Sequence, residues 1–191
     1  MIQILEKITA ILALIALGIT YIPSSFFPAF TSKFGPLSAL GVFGILYYLF
    51  DRFLWKYFPG VGIPNISGSW SGKINRGTEP GKTEGKMADV TAKITQTWTR
   101  IDVVFKGTHS ISRSEVAGLF VNNPDHIELC YSYQKRPNDA AGSGHQYSDG
   151  YTRLIFEKSV NNATLIGRYF SDEFRGGTIT LSKVSTNGPN Q

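Results

Sequence analysis

Two uncharged runs at the N-terminus limit what this chain can become. From Ile8 to Ser32 there are 25 consecutive residues without a charge, and Phe34 to Phe50 adds 17 more, separated only by Lys33. An apolar run of about 20 residues is long enough to cross a bilayer as a helix. The first run has that length, and the second reaches it if Arg52 and Lys56 snorkel toward the headgroups. The sequence therefore predicts a two-helix transmembrane hairpin over residues 1–58, with Pro23, Pro28, Gly35 and Pro36 at the connection. A cleaved leader is disfavoured, because Glu6 stands beside Lys7 and the stretch from Tyr21 to Phe27 has no small-residue cleavage site. The second run ends in Tyr47, Tyr48, Arg52, Phe53, Trp55, Lys56 and Tyr57, residue types that anchor a helix end at the interface. The connection holds only Lys33, whereas the flanks hold Lys7, Arg52 and Lys56, so the positive-inside rule puts both termini in the cytoplasm. Ala10, Ala13, Ala16, Gly18, Gly41 and Gly44 would let helices approach closely, although small residues are common in membrane helices anyway.

Past a linker at 59–65 the texture changes to short alternating runs punctuated by Gly, Asn and Asp. Eight strands are predicted: Ile66 to Ile74, Ala88 to Trp98, Arg100 to Lys106, Ser110 to Val121, Ile127 to Lys135, Tyr151 to Lys158, Thr164 to Phe170 and Thr178 to Val184. Short connections such as Asn122 to Asp125 and Asn161-Asn162 favour hairpins between sequence neighbours, and eight strands so joined can close on themselves without leaving an edge. The expected fold class is thus membrane all-β: the helical hairpin, then an eight-stranded up-and-down β-barrel over residues 66–185, and a flexible tail at 186–191. An open sandwich is the alternative. Gly68-Ser69-Trp70 at the start of the first strand is similar to the Gly-x-Trp that plugs the closed end of lipocalin-like barrels; Trp70 could equally be ordinary core.

Alternate turns of such a barrel lie at opposite ends. The turns at Trp98 to Arg100, Asn122 to Asp125 and Val160 to Ala163 are tight, whereas at the other end Asn75 to Lys86, Arg136 to Gly150 and Ser171 to Gly177 are long and bear glycine and charge, and only the turn around Gly107-Thr108-His109 is short. Long loops at one end and tight turns at the other are expected of a barrel with an open mouth, and equally of tolerated insertions. Arg113, Tyr131, Tyr133, Lys135, Tyr151, Arg153, Arg168, Tyr169 and Phe170 fall near that mouth. Tyrosine and arginine planes stack on bases, and guanidinium groups pair phosphate oxygens in fixed geometry, so the seven tyrosines and arginines among them are the candidate nucleotide-binding residues. The alternation Ile127, Leu129, Tyr131, Tyr133 turns both tyrosines inward. In the sixth and seventh strands two parities compete: Leu154 and Phe156 oppose Tyr151, Arg153 and Ile155, and Ile166, Arg168 and Phe170 oppose Leu165, Gly167 and Tyr169.

Enzymatic chemistry finds no support. No nucleophile constellation, paired-carboxylate motif, phosphate-binding glycine loop or metal-ligand spacing occurs, and Gly142-Ser143-Gly144-His145 lacks the strand-to-helix elbow of a reactive serine. One cysteine, Cys130, excludes an intrachain disulfide framework and fits a reducing compartment. No cofactor or metal is expected. Setting aside Glu6, Lys7, Lys33, Asp51, Arg52 and Lys56 leaves 15 basic against 12 acidic residues. That excess is too mild for long nucleic acid and sufficient for a small anion or an anionic membrane surface.

Paired apolar spans, the stretch Ile63-Pro64-Asn65-Ile66-Ser67-Gly68-Ser69-Trp70-Ser71-Gly72 and the strands that close near Val184 together resemble a known family. It is the two-transmembrane, β-strand-rich effectors of bacterial cyclic-oligonucleotide-based antiphage signalling systems (CBASS). The resemblance implies an inner-membrane, multi-pass protein whose cytosolic barrel binds a cyclic dinucleotide made by a cGAS-like nucleotidyltransferase. Binding would drive homo-oligomerisation of the hairpins among membrane lipid, inner-membrane disruption and abortive infection. The alternative is a membrane-tethered, lipocalin-like carrier of an apolar ligand, which an all-apolar interior would favour.

Overall fold

The computed structural model describes residues 8–15, 39–57, 62–77, 87–123, 126–138, 147–159, 162–173 and 175–184. The chain divides into two compact units, Met1–Gly62 and Ile63–Gln191. The hairpin connection at Pro23 to Pro36, the tail at 186–191 and most of the two longest loops lie outside the described residues.

In the first unit residues 8–15 are helical, a second helix runs over Ala39–Arg52, and a 3₁₀ turn follows at Leu54–Tyr57. Among the described residues no helix is long and apolar enough to cross a membrane. Exposed positions on these helices include the apolar Ile11, Leu14, Ile45 and Leu49. Arg52 closes the last turn of the second helix, where a cation complements the free carbonyls.

The second unit is a closed barrel of eight antiparallel strands in sequence order. They are β1 Gly68–Arg76, β2 Met87–Gln96, β3 Ile101–Lys106, β4 Ser110–Asn123, β5 His126–Pro137, β6 Ser148–Lys158, β7 Ala163–Ser171 and β8 Gly176–Lys183. Closure runs through β1 and β8, from Trp70 opposite Lys183 to Arg76 opposite Gly177. The sheet thus has no free edge, which decides for the barrel over the open sandwich. β2 carries the clearest pattern, with Val90, Ala92, Ile94 and Gln96 inward and polar residues between them.

One end is sealed by the lead-in segment. Ile66 is fully buried; its N–H donates to Gln96 Oε1 (2.9 Å) and its carbonyl accepts from Trp70 Nε1 (3.0 Å). Gln96 Nε2 also donates to the Pro64 carbonyl (3.2 Å). A polar residue thus ends the inward row of β2 because it satisfies the backbone of a chain crossing the barrel end. Gly68 makes the corner at φ 133°, a conformation open chiefly to glycine. Trp70 follows at 0% exposure, edge-on to Phe156 with ring centroids 6.5 Å apart and Lys183 Nζ 5.7 Å from its own. β1 therefore begins two residues later than the alternation predicts, since Ile66 belongs to the plug and not to the wall.

Candidate functional site

The far end is open. Above the packed layer of Leu129, Leu154, Leu165 and Leu181 the barrel hollows into a pocket of about 150 Å³ that opens to solvent. Ile74, Phe105, Thr152 and Ile179 line its lower wall, and Tyr131, Tyr133 and Tyr169 stand around it. Arg76, Lys135, Arg175 and Glu173 supply the charge at the rim, with His109, Ser110 and Ser112 beside them.

Glycines opposite the tyrosines explain how bulky rings fit against the wall. Tyr133 pairs across the ladder with Gly150, and Tyr169 with Gly177. A β-carbon on Gly150 would collide with the Tyr133 ring and the Phe170 carbonyl, and one on Gly177 would lie 2.8 Å from Tyr169 Cε1. Each missing side chain is the space into which a ring folds. Tyr133 Oη donates to the Phe170 carbonyl (3.3 Å), and the Tyr131 and Tyr133 rings are 6.2 Å apart at 56°.

The phenols are neutral at pH 7 as ordinary tyrosines are, and burial strengthens that preference. Burial pushes Tyr131 up to about 12, partly offset by a hydrogen bond from Thr152, and raises Tyr133 further, with Tyr131, Tyr169, Asp172 and Glu173 adding to the effect. Tyr169 is also raised by burial, against the pull of Arg76 and Arg175. At neutral pH the pocket thus offers three uncharged aromatic faces beneath a rim that holds three cations and one carboxylate. Such a surface stacks flat rings and pairs anionic groups.

Of the seven candidate nucleotide-binding residues, Tyr131, Tyr133 and Tyr169 meet in this pocket. Arg113, Tyr151, Arg153 and Arg168 do not: all four are exposed on the outer wall. The reason is parity. Leu154 and Phe156 take the inward positions of β6, and Leu165 and Tyr169 those of β7, so the intervening residues face out. In β4 a register shift between Ser114 and Val116 reverses the alternation, with Ser110 and Ser112 facing the pocket and Arg113 outward. Arg153 instead grips Glu128, its Nε and Nη2 lying 2.7 and 2.6 Å from Oε2, while His126 Nε2 lies 2.7 Å from Oε1. Tyr151 hydrogen-bonds Cys130 on the same outer surface. Lys135, which the sequence also places at the mouth, lines the pocket, whereas Phe170 is exposed; Arg76 was legible by alternation from Trp70 and Ile74 in β1. Arg175 and Glu173 lie at a turn, where no period applies.

Two matches with known proteins cover nearly all of this architecture. Residues 61–183 match the Cap15 cyclic dinucleotide receptor domain, and residues 6–56 match the Cap15 TM helices. The chain belongs to the Cap15 family. It is 31% identical over 189 residues to CD-NTase-associated protein 15 of Yersinia aleksiciae, covering 94% of this chain and 86% of that protein. The open barrel is therefore the receptor domain of a Cap15 protein, and the N-terminal unit carries the family's membrane region. As a Cap15 protein it is a CBASS effector, the family that its paired spans and lead-in segment resemble.

Proposed function

We propose that the mouth of the barrel holds a cyclic dinucleotide, with bases against Tyr131, Tyr133 and Tyr169 and phosphodiesters against Arg76, Lys135 and Arg175. The observation that carries this reading is the composition of the pocket: neutral aromatic faces below a cationic rim, at the end of the barrel opposite its plug. Stacking on aromatic side chains contributes about 1–3 kcal/mol per base, and charge-assisted phosphate pairs add direction. A carrier of purely apolar cargo has no use for three cations at its only described opening.

In this reading the messenger comes from a partner cGAS-like nucleotidyltransferase, and the protein acts as a receptor that breaks no bond. The barrel and both termini lie in the cytoplasm, and the two-helix hairpin spans the inner membrane. Occupied barrels bring hairpins together among membrane lipid, the inner membrane is disrupted, and the infected cell stops growing. The ligand must then bind the assembled state more tightly than the free one. Each tenfold preference shifts the equilibrium by about 1.4 kcal/mol, so a sharp switch draws on many subunits.

The test is calorimetric titration of the full chain in detergent with cyclic di- and trinucleotides and, separately, fatty acids, with particle size followed by light scattering. Tight binding of one cyclic nucleotide with growth in particle size is expected. Silence from every nucleotide, with uptake of fatty acid, would make the protein a tethered carrier and overturn the proposal.

A further inference from the structure

The rim carries a carboxylate where an anion-binding site would be expected to have none. Glu173 is the single acid among the described residues that line the pocket. Its Oε1 and Oε2 lie 3.4 and 3.3 Å from Lys135 Nζ, and Oε2 lies 3.6 Å from Arg175 Nε. One carboxylate thus spans two of the three rim cations.

The bridge is long and wet. Charge-assisted N–H···O bonds settle at about 2.7–2.9 Å, as that from Arg153 Nε to Glu128 on the outer wall does at 2.7 Å. The side chains of Lys135 and Glu173 keep 29% and 26% of their exposure, so water competes for both. Such a pair holds two cations in position yet exchanges readily for a better anion.

The turn around Glu173 is tied down without that side chain. Ser171 N–H donates to the Arg175 carbonyl (2.8 Å), and Asp172 N–H donates to the Asp149 carbonyl (2.9 Å). Lys135 is set by its place in β5, opposite Ser112 and Ser148. Glu173 can therefore swing out while the cations that it gathered stay at the rim.

We infer that Glu173 is the built-in counter-ion of this site, holding Lys135 and Arg175 together in the free receptor and surrendering them to a phosphate of the ligand. This deepens the proposed function and rests on it for the identity of the ligand. Two cations converging on one pocket repel each other, and a resident carboxylate removes that repulsion until a phosphate takes over. The cost is competition, since each ligand phosphate must displace an anion already in place. Glu173 is thus a positioning residue that sets the threshold for binding.

The experiment compares the full chain in detergent with its Glu173→Gln variant, which keeps the shape and removes the charge. Two probes are titrated: a panel of cyclic di-AMP, cyclic di-GMP and mixed purine–pyrimidine cyclic dinucleotides, and inorganic pyrophosphate. Glu173→Gln is expected to bind the preferred cyclic dinucleotide and pyrophosphate about three- to tenfold more tightly. It should also show a steeper loss of affinity with salt, because its uncovered cations release solution anions on binding. In a Lys135→Gln background the gain should vanish, a coupling that a merely structural role would not produce. Equal or weaker binding of both probes by Glu173→Gln overturns the inference. A Glu173→Gln gain for pyrophosphate, in a protein that ignores every cyclic dinucleotide, would uphold the counter-ion and overturn the ligand class.

Discussion

Trp70 separates the stability of the barrel from the chemistry of its mouth, and Trp70→Phe tests that separation. The indole is fully buried, donates to the Ile66 carbonyl at 3.0 Å and meets Phe156 edge-on. Phenylalanine keeps an aromatic ring there and removes the N–H, leaving a buried carbonyl without its donor, a loss of about 1–3 kcal/mol. The smaller ring leaves a void that adds about 1 kcal/mol at roughly 24 cal/mol per Å³. The expected destabilisation is about 3 kcal/mol, or a fall of about 12 °C in Tm for a domain of this size. Trp70 and Arg76 stand at opposite ends of β1, about 20 Å apart at roughly 3.3 Å per residue. Ligand affinity measured well below the new Tm should therefore stay within about twofold of wild type. Thermal unfolding by intrinsic fluorescence and calorimetric titration of the same preparation read the two quantities. A fall of under about 3 °C, or a tenfold loss of affinity with Tm unchanged, would refute the assignment of Trp70 to the plug.

Further outcomes are expected at four positions. Tyr133→Ala should weaken cyclic dinucleotide binding at least tenfold, whereas Tyr133→Phe, which loses only the 3.3 Å bond to the Phe170 carbonyl, should change it by less than about threefold by calorimetry. Gly177→Ala should drive its β-carbon into the Asn75 carbonyl of β1 and against the Tyr169 ring, lowering Tm and weakening binding together, and wild-type affinity and Tm would show that the close approach is dispensable. Arg153→Ala should leave ligand affinity within about twofold, since Arg153 lies on the outer wall. His126 first and Arg153 second hold the Glu128 carboxyl below its ordinary range. The stability this contributes is present above the unfolded carboxylate pKa and is lost as pH falls through the folded one. Denaturant titrations near neutral pH and near pH 3 should therefore differ less in Arg153→Ala than in wild type, and equal differences would remove Arg153 from the linkage. Gly44→Leu fits open space, with nothing within 4 Å of an added β-carbon, so it should spare ligand affinity and abolish growth arrest in cells; arrest that persists would exclude close helix approach at that glycine.

How much of this was legible beforehand varies from strand to strand. β3 matched its alternation to within one residue at either end, because apolar and polar positions there agree with a single inward face. β6 and β7 were located well but could not be oriented, since Ile155, Ile166 and Phe170 give the outer face nearly as apolar a row as the inner one. A period of two fixes which residues share a face, not which face is inside. For that reason Arg153 and Arg168 were assigned to the mouth with Tyr169, although Tyr169 is the one whose parity faces it.

The sequence alone determined the uncharged runs, the number of the strands and roughly where each runs, the plug motif at Gly68 to Trp70 and the inward tyrosines of β5. Each is a local matter of residue type and period. Only the closed barrel decided which parity of β6 and β7 meets the interior, how the β4 irregularity turns Arg113 away, and how Arg76, Lys135, Glu173 and Arg175 converge. These residues are far apart in the chain, and no local pattern encodes their distance. Their meeting depends on β1 pairing with β8, a contact between the two ends of the sheet that exists only once the barrel has closed.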